Sequence, residues 1–339
     1  MKAIRFHSTG GPEVLAYEDA PTPSPGRGEA LVRVEACGVN RLDIWARSGR
    51  YKTALPHILG TDIAGAVESV GPDTDGAQAG SRVVVYPVLA DGTCIHCRRG
   101  SPNLCLARGF VGIAADGGYA QYVKVPVANL VSAEGIDPKK AAAMPVDFGT
   151  AWRGLVSKAN VGPEDTVLIW GAAGGLGHAA VQIAKLRGAA VIAAVGDERK
   201  SRFVKSLGAD HVVEYKTQDI VQSVRSLTDG VGASVVFDHV GGDTWGKSID
   251  CLARGGRMLT LGLTSGPKSE VDVRRTYSDE TSIMGTYGQS KAEVEKVLSL
   301  QAEGKLSPSI QSELPLSSAR EAHQMLESRD VRGKIVLLP

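Results

Sequence analysis

The stretch that decides the fold is TVLIWGAAGGLGHAA, which runs from Thr166 to Ala180. An apolar run precedes a cluster of glycines, and a helical pattern follows at once. Glycines let a chain turn tightly and bring backbone N–H groups close to a pyrophosphate, and the N-terminus of the following helix adds a favourable dipole. The order of strand, glycine turn and helix favours dinucleotide binding over a purely structural turn. The candidate contacts are Gly171, Gly174, Gly175, Leu176 and Gly177.

Outward from this turn, the second half of the chain alternates between apolar runs and helical patterns, which predicts a doubly wound parallel sheet of the α/β class. The predicted strands lie at 166–170, 190–195, 211–213, 234–237, 257–261 and 282–287. Residues 1 to about 125 instead contain short β segments separated by glycine and proline, a pattern typical of a β-barrel. A helix at about 291–303 and a strand at 333–338 follow, and this strand is expected to return to the first domain. The predicted domains are 1–127 with 290–339, and 128–289.

The tip of the second strand of the doubly wound sheet bears on the choice of nucleotide. An acidic residue there would hold the ribose hydroxyls and favour NAD. The position is occupied by Gly196, which leaves room for a 2′-phosphate, and Arg199 and Lys200 follow as possible partners for it. Asp197 is acidic and favours NADH instead. The alternative is that these charged residues only form the solvent-exposed start of a helix. The balance favours NADPH, with NADH as the alternative.

A loop between residues 91 and 105 contains three cysteines in the spacing of a metal site. Cys94, Cys97 and Cys105 supply three ligands, and a structural zinc requires four. Asp91, three residues before Cys94, is predicted to complete the shell, with His96 as the competing ligand. The alternative is a loop of free thiols. A closed shell of four ligands predicts one structural Zn²⁺ without an open position for catalysis.

The overall composition excludes several classes of protein. The chain has 38 basic and 37 acidic side chains, a formal net charge of +1. No basic block indicates a nucleic-acid partner, and no apolar run is long enough for a membrane span. The N-terminus has no basic region followed by a long apolar run, so no signal peptide is expected. The odd number of cysteines, 5, argues for a reducing compartment, and the cytoplasm is expected.

Several motifs together resemble the medium-chain dehydrogenase/reductase superfamily. The segments CGVNRLD at 37–43, LGTDIAG at 59–65 and GYAQY at 118–122 are similar to its quinone oxidoreductase branch. The cysteine loop is instead typical of the zinc alcohol dehydrogenase branch, although Asp91 replaces the usual fourth cysteine. The resemblance implies a GroES-like β-barrel catalytic domain, a Rossmann coenzyme domain and a small-molecule substrate bound between them. It also implies a homodimer or homotetramer, with 282–287 as a possible interface strand.

The zinc alcohol dehydrogenases of this superfamily hold a catalytic zinc with three protein ligands, and this chain matches few of them. Cys37 matches the first ligand, but Thr61 stands at the second, and Val146 aligns with the third. Asp62 and Asp147 are the residues that could supply the missing zinc ligands. One clear ligand is too few, so we expect no catalytic zinc and a buried Cys37.

Without a Lewis acid, reduction of an activated C=C bond is the favoured chemistry, with a quinone, an enone or an enoyl thioester as the acceptor. The resemblance implies that Asn40 and Tyr51 donate hydrogen bonds to the acceptor, that Asp43 orients them, and that Tyr51 supplies the proton. The alternative is that these side chains only close hydrogen bonds in a loop. Further cofactor contacts, inferred from resemblance or strand-end position, are Thr150, Tyr215, Leu261, Gly262 and Lys334. His178 is expected on the helix surface.

Two rival functions stay open. One is an alcohol or aldehyde dehydrogenase with a rescued zinc, and the other is a non-catalytic NADPH-binding protein.

Overall fold

The computed structural model describes residues 1–339, and the chain divides into two compact units. The first unit contains Met1–Gly149 and Gly288–Pro339, and the second contains Thr150–Tyr287. Residues 128–149 were predicted to belong to the coenzyme domain, but they lie in the first unit. The reason is strand pairing, because Leu130–Ser132 forms an antiparallel pair with Arg82–Val85 inside the barrel.

The first unit is built mainly from β-strands. Its central strand, Glu29–Gly38, is ten residues long and pairs with three other strands, two from the N-terminal part of the chain and one from the C-terminus. The strands are β1 Lys2–Phe6, β2 Ala16–Asp19, β3 Glu29–Gly38, β4 His57–Ile58, β5 Asp62–Val70, β6 Arg82–Val85, β7 Val88–Leu89, β8 Gly109–Phe110, β9 Tyr122–Pro126 and β10 Leu130–Ser132, with β17 Ile310–Pro315 and β18 Lys334–Leu338 from the tail.

A seven-stranded sheet dominates this unit, in the order β10-β6-β5-β3-β18-β17 with β9 also on β3. The predicted return of the last strand is confirmed, because β18 pairs antiparallel with β3. The helices of this unit are α1 Arg41–Arg47, α2 Ile95–Arg98, α3 Pro138–Ala141, α10 Lys291–Ala302 and α11 Ala319–Glu327, and α4 Asp147–Trp152 runs across the unit boundary. Apolar residues from β1, β3, β5 and β18 form its core.

The second unit is a parallel sheet with helices between its strands. The strands are β11 Thr166–Ile169, β12 Ala190–Val195, β13 His211–Glu214, β14 Ala233–Asp238, β15 Leu252–Thr260 and β16 Ser282–Gly285, and the helices are α5 Gly175–Leu186, α6 Glu198–Ser206, α7 Ile220–Leu227, α8 Gly242–Cys251 and α9 Val273–Ser278. The order is β13-β12-β11-β14-β15-β16, and every pair is parallel. This order reverses direction between β11 and β14, which is where such sheets bind ligands. The predicted fold class is confirmed.

The predicted interface strand lies at one edge of this sheet. β16 pairs only with β15, and Ile283 on it is 40% exposed. An edge strand with unpaired backbone groups is a common docking element. The homo-oligomer stays a prediction.

None of the helices combines the length and the apolar character needed to cross a membrane.

Candidate active site

The glycine turn has the local geometry that a pyrophosphate site requires. Gly171 adopts a left-handed conformation with φ +56°, and Gly174 is the N-cap of α5 without a side-chain cap. Because no side chain caps this helix, its first N–H groups point outward, where an anion can accept from them. A Cβ atom at Gly177 would lie 2.2 Å from the Gly171 carbonyl oxygen, so only glycine allows α5 to approach the turn.

The end of β12 lies against two polar side chains, and Gly196 at this end is buried. A Cβ atom on Gly196 would lie 3.3 Å from both the Tyr215 hydroxyl and Lys216 Cε. The carboxylate of Asp197 accepts a hydrogen bond from the Lys200 backbone N–H and forms an ion pair with its ammonium at 3.3 Å. The Asp197 carboxylate, which favoured NADH in the sequence, therefore caps the start of α6. Lys216 was missed in the sequence because it lies one residue beyond the strand-end position that the resemblance indicates.

The ends of β14 and β15 lie next to the glycine turn. The imidazole of His239, directly after β14, would contact a Cβ atom at Gly171 at 3.2 Å. Leu261 donates its N–H to the Asp238 carbonyl, and a Cβ atom at Gly262 would lie 2.5 Å from the His239 carbonyl oxygen. These contacts bring Leu261 and Gly262 to the edge where the turn lies, as predicted from their strand-end position. Their contact with a nucleotide stays a prediction.

A buried cluster of polar side chains lies within the first unit. The Lys334 ammonium donates to Asn40 Oδ1 at 2.7 Å, to Asp62 Oδ2 at 2.7 Å and to Asp147 Oδ2 at 2.8 Å. Asn40 Nδ2 donates to Asp62 Oδ2 at 2.9 Å, and Asp62 Oδ1 accepts from the Val146 N–H. Burial lowers the pKa of Lys334, but its two carboxylate partners outweigh this effect and hold the pKa above its usual range.

These contacts bear on two expectations about the cluster. The Lys334 side chain is 2% exposed and its ammonium is engaged by three side chains of the first unit, and its predicted position near the nucleotide stays a prediction. Asp62 and Asp147 were the residues that might rescue a catalytic zinc, and both are ion-paired with this lysine. Sequence reasoning missed the cluster because Lys334 is 272 residues from Asp62 along the chain.

Asp43 is the centre of a second buried network. Its carboxylate accepts from the backbone N–H groups of Asn40 and Gly60 and from the hydroxyl groups of Thr61 and Tyr119. Burial raises the pKa of Asp43 to about 7, although these donors and the nearby lysine act in the opposite direction. The side chain is completely buried and accepts from the Asn40 backbone N–H, and its role in orienting Asn40 and Tyr51 stays a prediction.

A chain of hydrogen bonds continues from Asp43 towards solvent. Arg47 Nη1 lies 3.1 Å from His323 Nδ1, and a guanidinium can only donate, so Nδ1 is the acceptor. Burial lowers the pKa of His323 to about 3, so the neutral ring carries its proton on Nε2 and donates it to the Tyr119 hydroxyl at 3.2 Å. Arg47 also pairs with the partly exposed carboxylate of Glu327. Tyr119 and His323 had no sequence signal as network members.

Three further residues, Tyr51, Cys37 and Thr150, have different surroundings. The Tyr51 side chain is partly buried against the barrel core, and its ring centroid lies 6.5 Å from that of Trp45. Its role as a proton donor stays a prediction. Cys37 is completely buried, as expected, and burial raises the pKa of its thiol well above the usual range. A neutral buried thiol is a poor metal ligand. Thr150, in α4, is 8% exposed.

The predicted metal loop brings its four side chains together. One ligand atom from each of Asp91, Cys94, Cys97 and Cys105 lies within 4.8 Å of the others. The Sγ atoms of Cys94 and Cys97 are 3.6 Å apart, close to the ~3.8 Å edge of a tetrahedron with Zn–S bonds of about 2.3 Å. A hydrogen bond from the Cys94 backbone N–H is the largest of the effects that hold the pKa of Asp91 well below its usual range. The donor set fits zinc.

Comparison with known proteins identifies the family. Residues 26–135 match the family model for an alcohol dehydrogenase GroES-like domain, and residues 175–303 match the model for a zinc-binding dehydrogenase. An NAD-dependent alcohol dehydrogenase of Sulfurisphaera tokodaii is 33% identical over 100% of both chains.

Solved structures of two kinds of relative align over 100% of both chains. An NAD-dependent alcohol dehydrogenase is 42% identical with a TM-score of 0.96. The quinone oxidoreductase of Escherichia coli, solved in complex with NADPH, is 30% identical with a TM-score of 0.87. A GroES-like unit joined to a nucleotide-binding parallel sheet defines an oxidoreductase that uses a nicotinamide cofactor. The chain belongs to the medium-chain dehydrogenase/reductase superfamily, and its relatives include both alcohol dehydrogenases and quinone oxidoreductases.

Proposed function

We propose that this protein is an NADPH-dependent reductase of activated C=C bonds, with a quinone, an enone or an enoyl thioester as acceptor and without a catalytic metal. The observation that carries this proposal is the buried ion pairing of Asp62 and Asp147 with Lys334. A catalytic zinc needs three protein ligands and an open position. With both carboxylates already ion-paired to one ammonium, the residues present do not fit that role, which favours acceptors that need no Lewis acid.

The residues of the first unit can provide hydrogen bonds in place of a metal. Bound NADPH would supply a hydride to the β carbon of the acceptor, so that negative charge develops on the conjugated carbonyl oxygen. Asn40 donates one amide N–H to Asp62, and we assign its second N–H to that oxygen. We assign protonation to the hydroxyl of Tyr51. Asp43 holds the Asn40 backbone at the start of α1 and thereby positions this donor.

The surroundings of Gly196 support NADPH as the preferred cofactor. This position lacks a side chain, Tyr215 and Lys216 flank it, and Asp197 is engaged as a cap. An ammonium and a hydroxyl beside a position without a side chain are partners suited to a 2′-phosphate.

Replacing Lys216 by alanine should therefore raise the KM for NADPH by roughly 10-fold or more, because one charge-assisted hydrogen bond to the 2′-phosphate is lost. The KM for NADH should not change, since NADH lacks this phosphate. Steady-state kinetics with both nucleotides measures the effect. Lys205→Ala, near the far end of α6, is the matched control. An equal rise for both nucleotides would contradict a 2′-phosphate site at this position.

A substrate panel tests the proposed chemistry directly. Purified protein is assayed by nicotinamide absorbance against quinones, enones, enoyl thioesters and simple saturated aldehydes, with alcohols and oxidised cofactor for the reverse direction. We expect turnover of the conjugated acceptors only.

Replacing Tyr51 by phenylalanine should lower kcat by roughly 100-fold, because the hydroxyl that supplies the proton is lost. Trp45→Phe, which alters the neighbouring ring without removing a proton donor, is the control.

The similarity to alcohol dehydrogenases gives the second candidate, a zinc-dependent alcohol or aldehyde dehydrogenase. Turnover of saturated aldehydes that is lost on treatment with a chelator would favour it and overturn the reductase. Metal analysis of the same preparation separates the two further. We propose one structural zinc held by Asp91, Cys94, Cys97 and Cys105, so the expected content is about one zinc per chain, against about two for the rival function.

A further inference from the structure

The oxygen atoms around Lys334 form a set of ligands typical of a divalent cation. Two carboxylates, from Asp62 and Asp147, and one amide carbonyl, from Asn40, converge on the ammonium at 2.7–2.8 Å. Carboxylate, carbonyl and water oxygens are the ligands that Mg²⁺, Ca²⁺ and Mn²⁺ prefer. All four side chains are buried, so the ammonium is the cation that these oxygens share.

The backbone beside this cluster is closely packed. A Cβ atom at Gly38 would lie 2.5 Å from the Ala142 carbonyl oxygen, 2.8 Å from Lys334 Cε and 3.1 Å from Asp62 Cβ, so only glycine fits at position 38. Asp62 is held independently, because its Oδ1 accepts from the Val146 N–H and its Oδ2 accepts from Asn40 Nδ2. The oxygen set is therefore partly preorganised by contacts that do not involve the ammonium.

We propose that Lys334 is a built-in cation that takes the place of a divalent metal between Asn40, Asp62 and Asp147. With the ammonium in place, a second cation would meet direct charge repulsion at the point where these oxygens converge. Without it, two buried carboxylates would face each other with no counter-charge, which strongly favours uptake of a small cation that prefers oxygen ligands. The inference concerns metal binding alone and holds for any acceptor that the enzyme reduces.

The test measures Mn²⁺ binding to Lys334→Ala and to the unaltered chain by electron paramagnetic resonance and equilibrium dialysis. Mn²⁺ prefers oxygen ligands, so the cysteine loop with its zinc does not compete for it. We expect about one Mn²⁺ per chain in Lys334→Ala at a concentration where the unaltered chain binds none. Adding Asp62→Asn to Lys334→Ala should abolish this binding. Lys139→Ala, which breaks an exposed ion pair with Glu313, is the control and should behave like the unaltered chain.

Thermal unfolding provides a second readout. Loss of the ammonium should lower the melting temperature by roughly 10 °C, and Mn²⁺ should restore much of this loss in Lys334→Ala only. A folded Lys334→Ala that takes up no additional Mn²⁺ would overturn the proposal, as would binding by the unaltered chain that Asp62→Asn removes. If the alanine variant does not fold, Lys334→Met keeps the buried volume of the stem. A melting temperature of Lys334→Met that Mn²⁺ leaves unchanged would also overturn it.

Discussion

Replacing Gly177 by alanine should weaken NADPH binding by more than about 100-fold, as measured by fluorescence titration or calorimetry. The added Cβ atom would lie 2.2 Å from the Gly171 carbonyl oxygen and 2.7 Å from Ala172 Cα. Both are backbone atoms, so the start of α5 must move away from the turn. Such a shift would misalign at least two N–H groups with the pyrophosphate. Hydrogen bonds to a charged group contribute about 1.5–3 kcal/mol each, so the loss of two accounts for the expected factor.

Alanine substitutions at two other glycines, Gly174 and Gly162, serve as comparisons for Gly177→Ala. At Gly174 a Cβ atom would meet only the Gly171 carbonyl oxygen, at an ordinary 3.5 Å, so Gly174→Ala should fold normally and lose affinity only because the methyl group obstructs the phosphate. At Gly162 nothing lies within 4 Å, and Gly162→Ala should bind as the unaltered chain does. Unchanged NADPH affinity in Gly177→Ala, with normal melting behaviour, would show that the turn does not hold the nucleotide.

The sequence was sufficient to predict the second unit because its signals are local. Each strand is a short apolar run, and the turn after β11 carries its glycines within one continuous segment. The metal loop was predictable for the same reason, since Asp91 and its three cysteines lie within 15 residues of each other. In both cases spacing along the chain determines spacing in the structure.

The buried networks of the first unit could not be predicted, because strand pairing brings distant segments together. Lys334 reaches Asn40 only because β18 pairs with β3, whose register places Val336 opposite Gly38. Tyr119 and His323 are 204 residues apart, and the motif GYAQY that contains Tyr119 does not indicate His323 as its partner. His178 shows the opposite error: it was expected on the helix surface, but it lies on the face of α5 that packs into the second unit and is completely buried. A sequence pattern does not indicate such partners unless the pairing of strands is known.

Replacing Asp43 by asparagine should destabilise the first unit by several kcal/mol. The carboxylate accepts from four donors, and an asparagine amide would place its own N–H groups against at least one of them. Each buried donor left without an acceptor costs about 1–3 kcal/mol. Urea unfolding, followed by circular dichroism, measures the shift of the midpoint. Tyr119→Phe removes a single donor to the same carboxylate and also leaves the buried His323 Nε2–H without its acceptor, so it should cost about 2–4 kcal/mol.

The dependence of this difference on pH distinguishes Asp43 from other buried groups. Its pKa is about 7 in the folded protein and near 3.8 in the unfolded chain, so the folded state binds the proton more tightly. Between these values the contribution of Asp43 to stability falls as the pH rises, by up to about 1.4 kcal/mol per pH unit. The stability advantage of the unaltered chain over Asp43→Asn should therefore be about 2 kcal/mol larger at pH 5 than at pH 8. Tyr119→Phe should raise the upper limit of this pH range, because the tyrosine hydroxyl lowers the pKa of Asp43. An advantage that is equal at both pH values, or larger at pH 8, would mean that Asp43 is already fully ionised at pH 5 in the folded protein.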